Sequence, residues 1–477
     1  MPSALKRSLA IAPVMASLGL ASNAQAAESV PQLAIAEVPA AAAPVSAPAR
    51  PATCVRGKCE YRLSPAQLLA LAERLVVEKK YDEARPFVAA LSNAPGLQIQ
   101  YNFLDGLIAL ETGDAKTAAS RFRTILKDNP TQTRVRLELA RALMAQGKFT
   151  NADYHLRLAQ DDENLPEDIA RQISNVRSII RSNRKWRFGF DIGFAPDSNI
   201  NSATNAETVD VNFGPVRLPV TLDEDARARS GVGLTASFYA GLRLPAAENL
   251  AFVFDTDASF VNYKGKDADD HAVQLAAGPE LALSSDTRVT AQGVGLMRWY
   301  GGRLVTRQYG SKLTLQHDFS SGQRLGVQLD GRRTESPVNP GYNGWQLGAN
   351  ATYEQVIAKS AIASGSVYVR REFLNEDAYS NTTYGFSAGI GGELPLGINA
   401  GLSGGISYSR YDRPQTFFSF DERSDWRYQG RVYLGLRQFR LAGFSPSVEY
   451  RYSQIDTNYA FYRSERHRVN FKLARYF

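Results

Sequence analysis

The groups that could do chemistry in this chain of 477 residues are few and far apart. Its four histidines, His155, His271, His317 and His467, share no metal-binding spacing such as a pair four apart on one helix. The cysteines are Cys54 and Cys59 alone. Four intervening residues are not the two of a thioredoxin-type pair, and no His stands nearby to complete a metal site. In an oxidising compartment such a pair is expected to close a small structural disulfide loop. Gly401-Leu402-Ser403-Gly404-Gly405 has the form G-x-S-x-G. That nucleophile elbow needs a strand-to-helix turn, whereas Ser403 sits among glycines inside an alternating segment. Phosphate-binding and dinucleotide fingerprints are absent from the sequence. The reading is therefore no catalytic residue, no cofactor and no metal, with an enzyme the least expected class.

The dominant pattern lies elsewhere. From Trp186, apolar and polar residues alternate one by one: Trp186, Phe188, Phe190, Ile192 and Phe194 against Arg187, Gly189, Asp191 and Gly193. A period of two is that of an extended strand with opposite faces in different surroundings. Fourteen such segments run to Phe477, joined alternately by short and long connections, the longest from Ala195 to Arg229. An aromatic-rich apolar face backed by charges and glycines fits a strand between lipid and water, and only a closed sheet satisfies every backbone group there. The 22 Tyr and 23 Phe suit aromatic girdles, and Phe477 ends the last strand as a barrel-insertion signal would. Charges placed inward, such as Arg187, Asp255, Glu280, Arg324, Asp330, Arg431, Glu449 and Arg451, predict a wet lumen of mixed sign. Net charge is +7 with 44% hydrophobic residues and mean hydropathy −0.29, and the arginines are too scattered for a nucleic-acid interface.

Before the barrel the period changes. Ala84, Ala118 and Ala152 recur 34 residues apart in KKYDEA, TGDAKTA and QGKFTNA, the spacing of tetratricopeptide helix–turn–helix repeats. Ser64-Pro65 starts the first helix as cap and first-turn residue. The segment 166–181 adds a capping helix through Ile169, Ile173, Val176 and Ile180. By repeat position, the concave face holds Phe103, Leu107, Arg134, Arg141 and Met144, the candidate residues for binding a partner protein. At the N-terminus, Lys6-Arg7, the apolar stretch from Leu9 to Leu20 and Ala24-Gln25-Ala26 form an export signal. Residues 27–53 are an Ala/Pro-rich linker, flexible or partly extended.

The expected organisation is thus a signal peptide (1–26), a linker with the short disulfide loop (27–60), a periplasmic repeat domain (61–184) and an outer-membrane barrel (185–477). The fold class is α plus all-β membrane: tetratricopeptide repeats followed by a 14-stranded antiparallel transmembrane β-barrel.

This combination, with the aromatic strand running into Pro196-Asp197-Ser198-Asn199-Ile200-Asn201, resembles the surface lipoprotein assembly modulator (Slam) family. The resemblance spans the mature chain from about residue 60, and its PDSN segment is the more specific part. It implies an outer-membrane translocon that displays or exports client proteins, either surface lipoproteins or related secreted haem- or iron-acquisition proteins. The repeats would capture an unfolded or chaperone-held client, and the barrel or its lateral seam would pass it outward. The barrel-insertion machinery is a further implied partner. Pro196, Asp197, Ser198 and Asn199 would begin the first outer loop, where Pro-Asp-Ser-Asn is also ordinary turn chemistry. Competing readings are a polysaccharide export port, disfavoured by three repeats and a mixed-sign lumen, and a passive nutrient-uptake pore.

Overall fold

A computed structural model of the chain describes residues 51–55, 58–61, 63–160, 162, 165–183, 185–319, 322–436, 439 and 444–474. The export signal, most of the linker and Phe477 lie outside the described residues. Strands β1 (Pro51–Val55) and β2 (Lys58–Tyr61) form a hairpin with Cys54 opposite Cys59 in its register. The first strand therefore starts at Pro51, inside the Ala/Pro-rich stretch expected to run to residue 53.

Among the described residues seven helices follow: α1 (Pro65–Val77), α2 (Tyr81–Leu91), α3 (Gln98–Glu111), α4 (Ala115–Asp128), α5 (Thr133–Ala145), α6 (Phe149–Ala159) and α7 (Glu167–Asn183). Ser64 caps α1 in a reciprocal box, accepting from the Gln67 N–H while the Gln67 side chain accepts from the Ser64 N–H. Such a cap contributes about 1 kcal/mol by satisfying donors the helix leaves open. The repeat alanines Ala84, Ala118 and Ala152 are all fully buried where paired helices cross. Gly106 of α3 serves the same crossing, because a Cβ there would meet the Phe122 ring at 2.7 Å. Around Phe122 the core gathers Leu126, Leu139, Leu143 and Leu156, and α7 closes it with Ile169, Ile173, Val176 and Ile180. Removing these side chains from water, at roughly 25 cal/mol per Å², is what makes three short helical pairs one body.

The barrel begins at β3 (Trp186–Asp197). Inside the long first loop, β4 (Thr208–Phe213) and β5 (Val216–Thr221) make a separate hairpin that the sequence pattern did not announce. Then come β6 (Gly231–Pro245), β7 (Leu250–Asn262), β8 (Asp270–Ala282), β9 (Thr287–Tyr300), β10 (Arg303–Asp318), β11 (Gln323–Glu335) and β12 (Gly344–Ile357). The circuit continues with β13 (Ala361–Leu374), β14 (Asn381–Leu394), β15 (Ile398–Tyr411), β16 (Ser424–Leu436), β17 (Ser445–Thr457) and β18 (Ser464–Ala474). Each strand pairs antiparallel with its neighbours, and β18 returns to β3, closing fourteen strands. Apolar side chains such as Phe188, Phe194, Leu347, Phe386 and Leu402 stand exposed on the outer surface. In water that surface would be prohibitive; in lipid it is the required one. Among the described residues no helix is long and apolar enough to cross a membrane, so crossing falls to the strands.

Candidate functional site

The inner wall is charged and largely self-paired. Arg243 meets Glu280 at 2.8 Å, Arg324 meets Asp318 at 2.6 Å, Arg332 meets Asp330 at 3.1 Å, and Arg431 and Arg451 share Glu449. Arg187 also pairs with Asp255 across β3 and β7. Period-two geometry places all of these on the face opposite the lipid-facing aromatics. Between β13 and β18 the wall changes character. Ser364, Ser387, Gly389, Ser403 and Gly405 line one side of a cavity of about 530 Å³, and Arg431, Arg451, Arg466 and Arg468 line the other. Ser403 thus lies mid-strand in β15 on a lumen wall, with no helix after it to form an elbow.

At the short-turn end the helical domain is clasped to the barrel. Arg136 of α5 ion-pairs with Glu393 at the foot of β14, 3.0 Å away. Arg157 of α6 reaches Glu354 of β12 at 3.0 Å, and Lys359, in the β12–β13 turn, reaches Asp162 at 2.7 Å. Thr133 donates to the same Asp162. Helix α4 lies against the turn Pro395–Gly397. The sequence carries one local signal for this contact. Arg136 falls in the stripe of Leu139, Ala140 and Leu143, where a charge has no place unless a partner waits for it.

The long-loop end is built on side chains. Asp197 and Asn199 are both buried. Asp197 accepts from Arg466 at 2.6 Å and from the Tyr263 hydroxyl at 2.8 Å, while Asn199 donates to the Glu465 carbonyl at 3.0 Å. The Ser198 N–H donates to the His467 carbonyl, and its hydroxyl accepts from the His467 N–H. Pro196 and Asp197 finish β3, so the PDSN segment joins the first strand to the last as well as starting a loop. Beside it, Phe418 packs on Phe417, Tyr459, Phe461 and Tyr462, and the Arg423 guanidinium lies 3.6 Å from the Tyr462 ring centre. The β4–β5 hairpin buries Val209 and Val211 and ties Asn212 to the Phe417 and Thr416 carbonyls. Burial pushes the Tyr342 phenol up to about 12, with Tyr462 and Tyr379 near enough to add to the shift.

The five concave-face candidates fare differently. Arg134 lies over the Phe103 ring at 5.1 Å, and its Nε is buried with no hydrogen-bond partner. Leu107 is half-buried between the two helical cores. Arg141 bridges Glu111 at 2.7 Å and Glu138 at 2.8 Å. Burial raises the Glu138 carboxyl above its ordinary range, against the pull of Arg141. Met144 is buried in the hydrophobic core, 5% exposed, against the expectation of a groove residue.

The sequence pattern of the surface lipoprotein assembly modifier family matches residues 186–477, the whole barrel. The chain belongs to that family. A tetratricopeptide pattern matches residues 109–164. The family member is 21% identical over 406 residues to the "Hemophilin secretion modulator" of Acinetobacter baumannii, covering 79% of this chain and 78% of that one. It is 30% identical over 111 residues to the "Surface lipoprotein assembly modifier" of Moraxella catarrhalis, covering 23% and 22%. It also resembles the solved outer-membrane channel DcaP of Acinetobacter baumannii, with 11% identity, 61% and 96% coverage and a TM-score of 0.37, too distant to inform loops or lumen. As a family member with a closed barrel, the protein resides in the outer membrane, its repeats on the periplasmic side where the short turns lie. Asp197, Asn199 and their motif neighbours come together with Tyr263 and Arg466. That meeting was invisible in sequence, since 66 and 269 residues separate the partners from Asp197.

Proposed function

We propose that this protein passes specific client proteins across the outer membrane, the repeat groove receiving the client and the barrel releasing it at the cell surface. The observation that carries the reading is the docking of the repeat array on the barrel's periplasmic turns through Arg136–Glu393 and Arg157–Glu354. That docking brings the repeat surface assigned here to the client to the entrance of a charge-lined channel. A wet lumen of mixed sign tolerates polypeptide of any local charge better than a single-signed one, which would favour a charged polymer. Phe103, Leu107, Arg134 and Arg141 are the groove residues we assign to the client, Arg134 with its guanidinium stacked over the Phe103 ring. Folding of the client outside would make the passage directional, and no catalytic step is assigned. Surface lipoproteins and secreted haem-acquisition proteins are the client classes proposed; its relatives' names speak of surface lipoprotein assembly and hemophilin secretion. The Cys54–Cys59 hairpin is assigned a structural disulfide.

The test is co-expression with a client encoded alongside it, reading protease accessibility of that client on intact cells. Display should require the full chain and fall to background when residues 60–181 are deleted while the barrel still assembles. Undiminished display without the repeats would overturn the capture step.

A further inference from the structure

Every other interface of the barrel keeps at least eleven residue pairs in register. The interface between β18 and β3 has five among the described residues, 475–477 lying outside them, and β8–β9 also skips two positions on each strand while keeping eleven pairs. Among the described residues, Arg468 stands opposite Asp197, and Phe471 to Ala474 stand opposite Phe194 to Asp191. Positions 195 and 196 of β3 and 469 and 470 of β18 are skipped between them. Pro196 explains part of the gap, since it has no N–H to give to a ladder. On its other side the same stretch is fully in register with β6, from Ala195–Gly233 to Asp197–Gly231.

Beyond this gap one backbone bond remains, from the Ser198 N–H to the His467 carbonyl, and the other contacts closing the outer end involve side chains. Asp197, whose side chain has no exposure, holds Arg466 at 2.6 Å and lies 3.8 Å from Arg468. Asn199 and Ser198 add the bonds to Glu465 and His467. On the lipid side Phe194 stacks on Phe471 at 4.9 Å, and on the lumen side Lys472 lies 3.6 Å from Asp191. Side-chain contacts can exchange without unzipping a backbone ladder, so this is the interface that separates at least cost.

We propose that the barrel opens sideways between β3 and β18, with Pro196–Asn199 as the latch, and that the client leaves through this seam with its apolar parts passing directly into lipid. This rests on the translocation reading above. The opening also gives the PDSN segment its role, since a latch must be both satisfied when closed and releasable.

The test pins the seam with a disulfide in the full-length protein, using Phe194→Cys with Phe471→Cys, or Ile192→Cys with Leu473→Cys one pair further in, both lipid-facing pairs in register. Phe386→Cys with Ile406→Cys, paired across β14 and β15, is the control. Client display should be lost in either seam-locked variant, return on reduction and persist in the locked control. Full display from an oxidised seam lock, or equal loss in the control, would overturn lateral exit while leaving translocation intact. Translocation itself fails separately, if the unmodified protein displays no client. If one pair prevents barrel assembly, the other carries the measurement.

Discussion

Arg136 on α5 donates to Glu393 on β14 across 3.0 Å, with side-chain exposures of 0% and 2%. The two residues are 257 apart in sequence and belong to different domains. Arg136 also donates to the Pro130 carbonyl and lies 3.3 Å from His155 Nδ1, so both terminal nitrogens are engaged while the buried Nε has no hydrogen-bond partner. Charges this deep gain little over a hydrophobic contact of the same shape, but leaving one without the other is costly, about 3–5 kcal/mol. Arg136→Ala is therefore expected to loosen the repeat domain from the barrel, read as faster limited proteolysis between the two at unchanged barrel stability. Arg136→Met combined with Glu393→Leu should recover most of the loss. Single and double variants that proteolyse alike would show that the pair does not hold the domains together.

A second prediction concerns pH. Burial holds the Glu138 carboxyl above its ordinary value of 4.5, outweighing Arg141 beside it. Arg141 itself, held by Glu138 and Glu111 despite its own burial, is shifted upward. A carboxyl whose pKa is higher folded than unfolded binds its proton more tightly in the folded chain. It stabilises the fold fully below about 4.5 and loses that contribution as pH rises through the folded value. Glu138→Gln, which keeps an acceptor for Arg141, should thus raise the thermal midpoint of the repeat domain at neutral pH. It should change little at pH 4. Calorimetry at the two pH values decides it, and an equal shift at both would remove burial of the charge as the cause.

Much of this architecture could be read from residue order because two periodicities carry it. Alternation placed all fourteen barrel strands to within a few residues, since a strand between lipid and water must change polarity at every step. The 34-residue recurrence of Ala84, Ala118 and Ala152 located three helical crossings that tolerate only small side chains. The β4–β5 hairpin escaped because its face is only half covered: Val209 and Val211 are buried, but Val216, Leu218 and Val220 are exposed. Met144 lies in a helix buried on nearly every side, where repeat position alone does not tell core from groove. Glu393, Tyr263 and Arg466 were beyond reach, since their partners lie tens to hundreds of residues away and no local pattern marks them.

The helical crossing offers a third test. At Gly106 an added methyl would meet Phe122 at 2.7 and 3.0 Å and Arg121 Cβ at 3.2 Å. Phe122 is fully buried and cannot retreat, so Gly106→Ala should destabilise the repeat domain by about 1–3 kcal/mol despite Ala's better helix propensity. Chemical denaturation followed by helical circular dichroism measures it. A stabilised variant would mean that α3 and α4 can slide apart freely.

The PDSN segment yields the last prediction. Asp197→Ala removes the buried carboxylate from Arg466, Arg468 and Tyr263 together, and Asn199→Ala removes the bond to the Glu465 carbonyl. Stranding Arg466 beside Arg468 is expected to cost about 3–5 kcal/mol, so barrels carrying Asp197→Ala should lose their compact gel mobility at a lower temperature. Asn199→Ala, a neutral loss of one or two hydrogen bonds, should cost about 1–3 kcal/mol. The remaining thirteen interfaces keep their ladders, so both variants should still reach the outer membrane in normal amount while client display falls further than barrel abundance. Display falling only in proportion to the barrel would make the segment a turn and a staple for assembly, with no part in passage.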